Sequence, residues 1–301
     1  MTEFSDVAAL AENRLAYATG QKFAAIIGET PSKGARSPLL WNAAFKAHGI
    51  HAEMLPIDIQ SGNLERLLMI LDCNPDFLGG AVAIPHKESV ARWMKGRLRP
   101  DVEGIGAVNC LFRDKDGCLT ATNTDGEGAL VAFERRFGAV AGKSVLLLGL
   151  GGAGKAVAAY FRRALGTDGR LRIGGRSEAA RRYAEELKYE WIPWPELATV
   201  LPTTDVLVNC TSVGTGETAG ETPVSASALS LLPRHAAVYD VIYQPTPSRL
   251  LALAAKRGLL VLDGTDMNLE QAVLAYSYAA PQPRGSAATR AAMESAKRLM
   301  A

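Results

Sequence analysis

A glycine-rich turn near the middle of the chain restricts the folds that this sequence can adopt. The turn reads Gly149-Leu150-Gly151-Gly152-Ala153-Gly154, fits the pattern G-x-G-x-x-G, and stands between an apolar run at 144–148 and a helical pattern at 155–164. In such a unit the first glycine permits the tight turn, the second lets backbone amides approach a pyrophosphate, and the third allows close helix packing. The motif predicts a dinucleotide-binding domain. The alternative is a tight βα turn without a ligand.

Strand and helix patterns alternate on both sides of this turn. Such alternation predicts crossover connections and mostly parallel sheets. The predicted strands are 23–28, 52–57, 77–84, 144–148, 170–173, 205–209, 237–241 and 259–262, and further helices are predicted at 38–47, 63–71, 269–280 and 287–300. Together with a length of 301 residues, the pattern predicts an α/β protein of two domains, the second a doubly wound Rossmann-type domain.

Two segments of the first half depart from this alternation. Runs at 108–113 and 118–122 flank the turn Asp114-Lys115-Asp116-Gly117, which predicts a β-hairpin. Residues 1–20 have the pattern of an additional amphipathic helix of unknown purpose. The final helix pair is expected to pack back on the first domain, which would make that domain discontinuous.

Composition argues against several classes of partner. The 33 Lys and Arg residues nearly balance 31 Asp and Glu, so a small molecule is a better candidate partner than a nucleic acid. The four cysteines form no C-x-x-C pair and the four histidines lack zinc-site spacing, which predicts reduced thiols and no metal. An acidic N-terminus and the lack of an apolar run of about 20 residues predict a soluble cytoplasmic protein without a membrane partner.

The end of the strand after the glycine turn determines which cofactor is expected. NAD enzymes usually place an acidic residue there, but this chain reads Ile173-Gly174-Gly175-Arg176-Ser177. Arg176 can pair with a 2′-phosphate, and the Ser177 hydroxyl is a second donor, so the sequence predicts NADP. The alternative is that Arg176 is a solvated residue beside a helix whose N-cap is Ser177.

Three polar residues of the first half stand where core packing does not require them. Lys87 falls in the first turn of a predicted helix, where the helix dipole disfavours a cation. Asn109 ends Gly106-Ala107-Val108-Asn109, and Asp125 lies within Asn123-Thr124-Asp125-Gly126. A lysine transfers protons once its pKa is tuned, an aspartate orients it, and an asparagine binds hydroxyls. Taken singly, the three are equally well a surface lysine, a turn former and a helix N-cap.

The motifs together resemble the shikimate dehydrogenase family over nearly the whole chain. The resemblance rests on Gly28, Asp263, Gly264 and Gln271 and on residues 36–42, 84–87, 106–109, 123–126, 149–154, 209–214 and 239–243. It implies a substrate-binding catalytic domain at 1–126 and 265–301, interrupted by an NADP-binding Rossmann domain at 127–264. It also implies reversible oxidation of a ring secondary alcohol in shikimate or quinate, with a role in aromatic amino acid biosynthesis for the family.

By this resemblance, Lys87 and Asp125 match the catalytic pair. Lys87, held by Asp125, would accept the hydroxyl proton while hydride leaves the carbinol carbon for the nicotinamide, and would return it in the reverse reaction. Thr211 and Ser212 would line the nicotinamide side. The residues that match substrate-binding positions are Asn109 and Gln271 for ring hydroxyls, Ser37 for the carboxylate, and Tyr243 near that carboxylate.

The chain departs from the family pattern in the substrate site. Ala35 stands in place of the first serine of His-Ser-x-Ser-Pro, and Ala81 and Ala83 stand in place of the polar residues of Asn-Val-Thr-Val-Pro. The usual Gly-Leu-Gly-Met becomes Gly264-Thr265-Asp266-Met267. The catalytic pair is kept while the recognition residues change, a pattern that favours a related but different alcohol.

Three functions therefore stay open at this point. The first is an NADP-dependent dehydrogenase of shikimate, quinate or a close relative, acting as a monomer or homodimer. The second is an NADP-dependent dehydrogenase of a related cyclic alcohol that lacks the carboxylate. The third is a non-catalytic NADP-sensing protein, against which the retention of Lys87 and Asp125 argues, because a sensor needs no proton donor.

Overall fold

The computed structural model describes residues 4–16 and 20–299 and divides the chain into two compact units. The first unit consists of Met1–Thr124 and Leu269–Ala301, and the second of Asp125–Asn268. The sequence predicted boundaries at 126/127 and 264/265, whereas the structure divides the chain at 124/125 and 268/269. The helix that starts at Asp125 belongs wholly to the second unit, and the second division falls within the helix Gly264–Ala279.

Helices and strands alternate through most of the described chain. The helices are α1 (Phe4–Leu10), α2 (Ser37–His48), α3 (Leu64–Cys73), α4 (Lys87–Trp93), α5 (Asp125–Phe137), α6 (Gly152–Leu165), α7 (Glu178–Glu186), α8 (Leu197–Val200), α9 (Ala226–Leu229), α10 (Arg249–Lys256), α11 (Gly264–Ala279) and α12 (Gly285–Arg298). The strands are β1 (Lys22–Gly28), β2 (Ala52–Asp58), β3 (Phe77–Val82), β4 (Cys110–Arg113), β5 (Leu119–Thr122), β6 (Ser144–Leu148), β7 (Arg170–Gly175), β8 (Glu190–Pro193), β9 (Val206–Asn209), β10 (Ala237–Asp240) and β11 (Leu260–Leu262).

The sheet of the first unit has the strand order β2-β1-β3-β4-β5. β1 pairs in parallel with β2 and β3, whose connections carry helices, while β4 and β5 run antiparallel and form the predicted hairpin. The hairpin turn is stabilised by the Asp114 carboxylate, which accepts the N–H groups of Asp116 and Cys118, and Gly117 adopts a φ of 80°. The first α/β domain has the predicted class.

Apolar helix faces cover both sides of this sheet. Along β1, Phe23, Ala25 and Ile27 belong to a cluster with α1 and α3, whereas Ala24 and Ile26 face α2, α12 and the part of α11 in this unit. This is the alternation expected of a strand that is buried on both faces. The C-terminal helices therefore return to the first unit, as the sequence predicted.

The buried His48 joins α2 to the start of α12. Its Nδ1 accepts the Arg284 N–H at 3.3 Å, so the neutral ring carries its proton on Nε2, which donates to Thr289 Oγ1 at 2.7 Å. Thr289 in turn donates to Gln282 Oε1 at 3.1 Å. Burial lowers the pKa of His48, and the positive charge of Arg284 lowers it further.

The predicted helix over residues 1–20 is wrong beyond Leu10, where α1 ends. Instead, the segment that follows α1 runs along the outer edge of β2: the Glu12 N–H donates to the Asp58 carbonyl at 2.9 Å. The Asn13 side chain donates to the Pro56 carbonyl at 2.9 Å and accepts the Asp58 N–H at 2.8 Å. These bonds to the strand edge replace the bonds of a continued helix. Residues 1–3 and 17–19 of the prediction lie outside the described residues.

The opposite edge of the same sheet is covered in a similar way. The Arg99 N–H donates to the Ala121 carbonyl at 3.0 Å, and the Ala121 N–H donates to the Arg97 carbonyl at 3.1 Å. A short extended segment before the hairpin thus continues the ladder beyond β5.

The sheet of the second unit is entirely parallel and has the order β11-β10-β9-β6-β7-β8. From the central strand β6, the chain adds β7 and β8 on one side and then β9, β10 and β11 on the other. This is the doubly wound order of dinucleotide-binding domains. Along β6, Val145 and Leu147 belong to one apolar cluster and Leu146 and Leu148 to the other, so both faces are covered. The predicted Rossmann-type domain is confirmed.

The sequence analysis missed the edge strand β8. Its four residues, Glu190-Trp191-Ile192-Pro193, contain a charged residue and a proline, and such a run lacks the apolar pattern of a buried strand. Pairing with β7 creates the strand, and Arg170 on β7 donates to the Glu190 carboxylate at 2.6 Å. The pairing brings Trp191 next to the end of β7, where the sequence analysis had placed no partner.

Candidate active site and cofactor site

The glycine turn between β6 and α6 has the geometry that the motif predicts. Gly149 adopts a φ of 89°, which favours glycine, and a Cβ at Gly154 would overlap the Gly149 carbonyl oxygen. By contrast, a Cβ at Gly151, the N-cap of α6, would have no atom within 4 Å. The space over Gly151 is therefore open to a ligand at a helix N-terminus, where amides point at a negative charge.

The loop after β9 packs directly against this turn. A Cβ built at Gly149 would lie 2.8 Å from the Thr211 methyl group and 3.2 Å from the Thr211 nitrogen. Asn209, fully buried at the end of β9, fixes Thr211: its Oδ1 accepts the Thr211 N–H at 3.0 Å and the hydroxyl at 2.7 Å. Ser212 follows and is exposed. Desolvation raises the pKa of the partly buried Cys210, so its thiol stays protonated.

Arg176 and Ser177 line a cavity of about 310 Å³ at the end of β7. The Arg176 guanidinium lies over the ring of Trp194 at 4.9 Å, and Trp191 forms another wall of the cavity. The Ser177 hydroxyl accepts the Ala180 N–H at 3.4 Å and so caps α7, which was the alternative interpretation of this residue. An accepting hydroxyl still carries its own proton, so the cap does not prevent Ser177 from donating to an anion.

Two side-chain amides meet in the first unit although they are distant in sequence. Asn109 Nδ2 donates to Gln271 Oε1 at 3.3 Å and to Thr124 Oγ1 at 3.1 Å, and Asn109 Oδ1 accepts the Thr124 N–H at 2.7 Å. Thr124 Oγ1 donates to the Gln271 carbonyl at 3.1 Å. Beside them, Asn123 donates to the Ala107 carbonyl at 2.9 Å. The structure thus brings together the two residues predicted to bind ring hydroxyls and fixes their orientation.

Lys87 begins α4 directly after the turn that follows β3, and its side chain is half-buried. Its backbone is fixed on both sides, since the Lys87 carbonyl accepts the Val108 N–H at 3.0 Å and the preceding His86 bonds the Ile59 carbonyl at 2.9 Å. His86 is 1% exposed. Its anchoring role was not predicted from the sequence, because its partner Ile59 follows β2, 27 residues earlier in the chain. His86 thus anchors the helix start that carries Lys87.

Three positions of the predicted substrate site in the first unit carry alanine, and Ser37 is buried. Ser37 begins α2 and is 5% exposed. Ala35 and Ala83 pack against the apolar cluster of α2, and Ala81 is buried in that cluster. Positions that carry a hydroxyl or an amide in the expected pattern therefore contribute apolar surface.

The predicted site residues divide between the two units. Asp125, the first residue of α5, is 5% exposed, and Tyr243 follows β10 and is half-buried. The first unit contains Ser37, Lys87, Asn109 and Gln271, and the second contains Asp125, residues 149–154, Arg176, Ser177, Thr211, Ser212 and Tyr243.

Comparison with known proteins identifies the family. Residues 26–111 match the family described as the shikimate dehydrogenase substrate binding domain. Shikimate dehydrogenase (NADP(+)) of Symbiobacterium thermophilum is 35% identical over 260 residues, which cover 82% of this chain and 85% of that protein. The chain belongs to the shikimate dehydrogenase family.

Solved structures extend the comparison of this shikimate dehydrogenase family member. A shikimate 5-dehydrogenase from Thermus thermophilus, solved in complex with NADP(H) and shikimate, superposes with a TM-score of 0.76 at 27% identity, over 91% of this chain and 99% of that chain. The ligand-free 5-ketofructose reductase of a Gluconobacter species superposes with a TM-score of 0.75 at 26% identity, over 91% and 98% of the two chains. The fold is thus shared with proteins that are named for different substrates.

The described part of this family member has neither a membrane-spanning helix nor a metal-binding cluster. None of its helices within 4–16 and 20–299 has the length and apolar character needed to cross a membrane. The same residues contain no group of three or more His, Cys, Asp or Glu side chains arranged to hold a metal ion.

Proposed function

We propose that this protein is an NADP-dependent oxidoreductase that reversibly oxidises a ring secondary alcohol of shikimate, quinate or a close relative. The observation that carries the proposal is the buried pair Asn109 and Gln271, two amides joined at 3.3 Å and held by Thr124, in a family member that retains Lys87. Oriented amides suit a substrate with several hydroxyls, because each amide both donates and accepts. We assign the proton carrier Lys87 and most of the substrate-binding residues to the first unit, and NADP binding to the second.

The second unit has the features that NADP requires. The open space over Gly151 and the N-terminus of α6 fit a pyrophosphate, and the exposed Arg176 beside a 310 Å³ cavity fits a 2′-phosphate. When bound, NADP would supply the hydride acceptor or donor. Thr211 and Ser212, in the loop that packs against the glycine turn, are assigned to the nicotinamide side.

The chain's own residues then carry the proton and bind the substrate. Lys87 and Asp125 are assigned as the catalytic pair, in which Lys87 accepts the hydroxyl proton in oxidation and returns it in reduction. The anchoring of the Lys87 backbone at 3.0 Å to Val108 limits movement of the proton acceptor. Ser37 and Tyr243 are assigned to the substrate carboxylate. We expect the enzyme to act in the cytoplasm as a monomer or homodimer.

A second candidate function is the oxidation of a cyclic alcohol without a carboxylate. The alanines at positions 35, 81 and 83 favour it, because a methyl group offers a carboxylate no hydrogen-bond donor to replace the hydration that it loses. The likeness to the Gluconobacter 5-ketofructose reductase also favours it.

The experiment is NADP+ reduction at alkaline pH with shikimate, quinate, aminoshikimate and inositols, with Lys87→Ala as the matched control. We expect reduction with at least one ring alcohol and loss of that activity in the variant. A preference for inositols over shikimate and quinate would establish the second candidate. NADPH binding without turnover of any alcohol would overturn both and leave a nucleotide-sensing role.

A further inference from the structure

The proposed reaction leaves one fully buried carboxylate of the second unit without a role. Asp240 ends β10 and is 0% exposed. Its Oδ2 accepts the Ser248 hydroxyl at 2.6 Å, and its Oδ1 accepts the Asn209 amide at 3.0 Å and the Ile242 N–H at 3.2 Å. Burying an ionised carboxylate is costly, and such a group is retained only where its hydrogen bonds offset that cost.

The bond from Asn209 leads from Asp240 toward the glycine turn. With its Nδ2 donating to Asp240, the Asn209 amide must present Oδ1 on its other side, where it accepts both the N–H and the hydroxyl of Thr211. Thr211 Oγ1 in turn accepts the Val213 N–H at 3.2 Å. The orientation of one amide thus determines the conformation of the loop that follows β9.

That loop lies against the turn expected to hold the pyrophosphate. The methyl group and the nitrogen of Thr211 are the nearest atoms to a Cβ built at Gly149, and Cys210 Cβ lies 3.3 Å from one built at Gly154. A shift of Thr211 by a few tenths of an ångström would therefore be transmitted to the Gly149 backbone, because close-packed contacts do not absorb displacements.

We propose that Asp240 is a positioning residue of the NADP site, which acts through Asn209 to hold Thr211 and its loop against the glycine turn. The inference rests on the proposed function in that its ligand is NADP. Ser248 belongs to the same hydrogen-bonded network, since its hydroxyl both donates to Asp240 and caps α10.

The charge of Asp240 also fits this role at neutral pH. Burial raises the pKa of Asp240 to about 6, an effect that Asp263 adds to and that the bonds from Ser248, Ile242 and Asn209 oppose. The carboxylate is therefore ionised at pH 7 and accepts from its three donors. A bond to a charged group is stronger than one between neutral groups, so the Asn209 amide is held firmly.

The test compares two carboxylates of the same unit. Asp240→Ala removes the proposed positioning group. Asp205→Ala is the matched control, because Asp205 accepts the Ser144 N–H at 2.8 Å and His235 at 2.9 Å where the neighbouring strand β9 begins, at the opposite end of the strands from Asp240. The dissociation constant for NADPH is measured by fluorescence titration beside the Tm of each variant. Asp240→Asn, which keeps an acceptor for Asn209, serves as the conservative variant.

We expect Asp240→Ala to raise the Kd for NADPH roughly 10–100-fold, the effect of losing the one charge-assisted hydrogen bond, among its three, that holds the Asn209 amide. Asp240→Asn should bind close to wild type, and Asp205→Ala should bind like wild type even where its Tm falls. Thr211→Val should also raise the Kd, and adding it to Asp240→Ala should add little, since residues in one chain of contacts are not additive.

Two results would overturn the inference. One is an unchanged Kd in Asp240→Ala or, should that variant fail to fold, in Thr211→Val. The other is an equal rise of the Kd in Asp240→Ala and Asp205→Ala, which would mean general loosening of the unit. Failure of the wild type to bind NADPH is a distinct result that refutes the proposed function itself.

Discussion

Two glycines of the same turn should differ in how the same substitution affects thermal stability. Gly154→Ala and Gly151→Ala each add one methyl group within the segment 149–154, three residues apart in sequence. The Cβ at Gly154 meets the Gly149 carbonyl oxygen, whereas the Cβ at Gly151 meets nothing within 4 Å. The pair therefore separates the packing role of the motif from its binding role.

The expected loss for Gly154→Ala comes from the overlap with backbone. A carbonyl oxygen cannot move aside as a flexible side chain can, so the start of α6 must shift away from the turn. Overpacking of this kind costs about 1–3 kcal/mol, and each kcal/mol lowers the Tm by about 2–4 °C in a chain of this size. We expect lower thermal stability and, because the turn is displaced, weaker NADPH binding as well.

Gly151→Ala should leave the stability of the ligand-free protein almost unchanged. Its φ of −73° is ordinary for alanine, and the reduced entropy of the unfolded chain offsets the poorer N-cap. The methyl group instead occupies the space where a pyrophosphate would approach the backbone. Loss of one charge-assisted bond there raises the Kd for NADPH roughly 10–150-fold.

Differential scanning fluorimetry and NADPH titration of both variants measure the two effects separately. The reasoning predicts an unchanged Tm with weak binding for Gly151→Ala, and a lowered Tm for Gly154→Ala. Normal NADPH affinity in Gly151→Ala would refute the placement of the pyrophosphate over α6. A Tm equal to wild type in Gly154→Ala would refute the contact with Gly149.

Four further substitutions test other parts of the structure. Lys87→Ala should lower kcat by roughly 10²–10⁴, the usual contribution of a positioned acid or base, with NADPH affinity by isothermal titration unchanged; wild-type turnover would remove Lys87 from the mechanism. Arg176→Ala should raise the KM for NADP+ but not for NAD+, because only the 2′-phosphate loses its partner; equal losses would assign Arg176 to the fold or to the adenine. Ala35→Ser should lower the KM for shikimate or quinate if the substrate carboxylate binds beside Ser37. The measurement is kcat/KM for the acid and for its methyl ester in wild type and variant. If the wild type already prefers the acid and Ala35→Ser does not change kcat/KM, the carboxylate site is not weakened. His48→Gln should reduce the acid sensitivity of the Tm, since the lowered pKa of His48 means that its stabilisation is complete above the unfolded value of 6.5 and is lost as the pH falls toward the folded pKa; a parallel loss of Tm with pH in wild type and variant would refute this linkage.

Local patterns were sufficient to predict the elements that we assign to cofactor binding. The apolar run at 144–148, the glycine turn and the helix after it lie within some 20 residues, and their geometry depends on residues that are neighbours in sequence. The alternation also predicted the doubly wound, Rossmann-type class of the second domain, because parallel crossovers leave few arrangements, although it omitted the edge strand β8.

Contacts between segments that are distant in sequence could not be predicted from local patterns. The stacking of Arg176 on Trp194 depends on β8, which forms only because β7 offers it an edge. The bond from His86 to Ile59 and the path from Asp240 through Asn209 join residues 27 and 31 positions apart. Neither hydrophobic periodicity nor residue propensity predicts such pairs. The prediction of a helix at 1–20 was partly wrong for the same reason, since Asn13 bonds a strand more than 40 residues away.

The covering of both edges of the first sheet affects how the protein behaves at high concentration. An uncovered edge strand offers a row of N–H and C=O groups to another chain, and edge-to-edge pairing is a common start of aggregation. Here the segment with Glu12 and Asn13 occupies the edge of β2, and residues 97–99 occupy the edge of β5. Edge-to-edge pairing of the first unit is therefore blocked at both sides of its sheet. A chain shortened to begin after Asn13 would expose the backbone N–H and C=O groups of β2 and should aggregate more readily than the full chain.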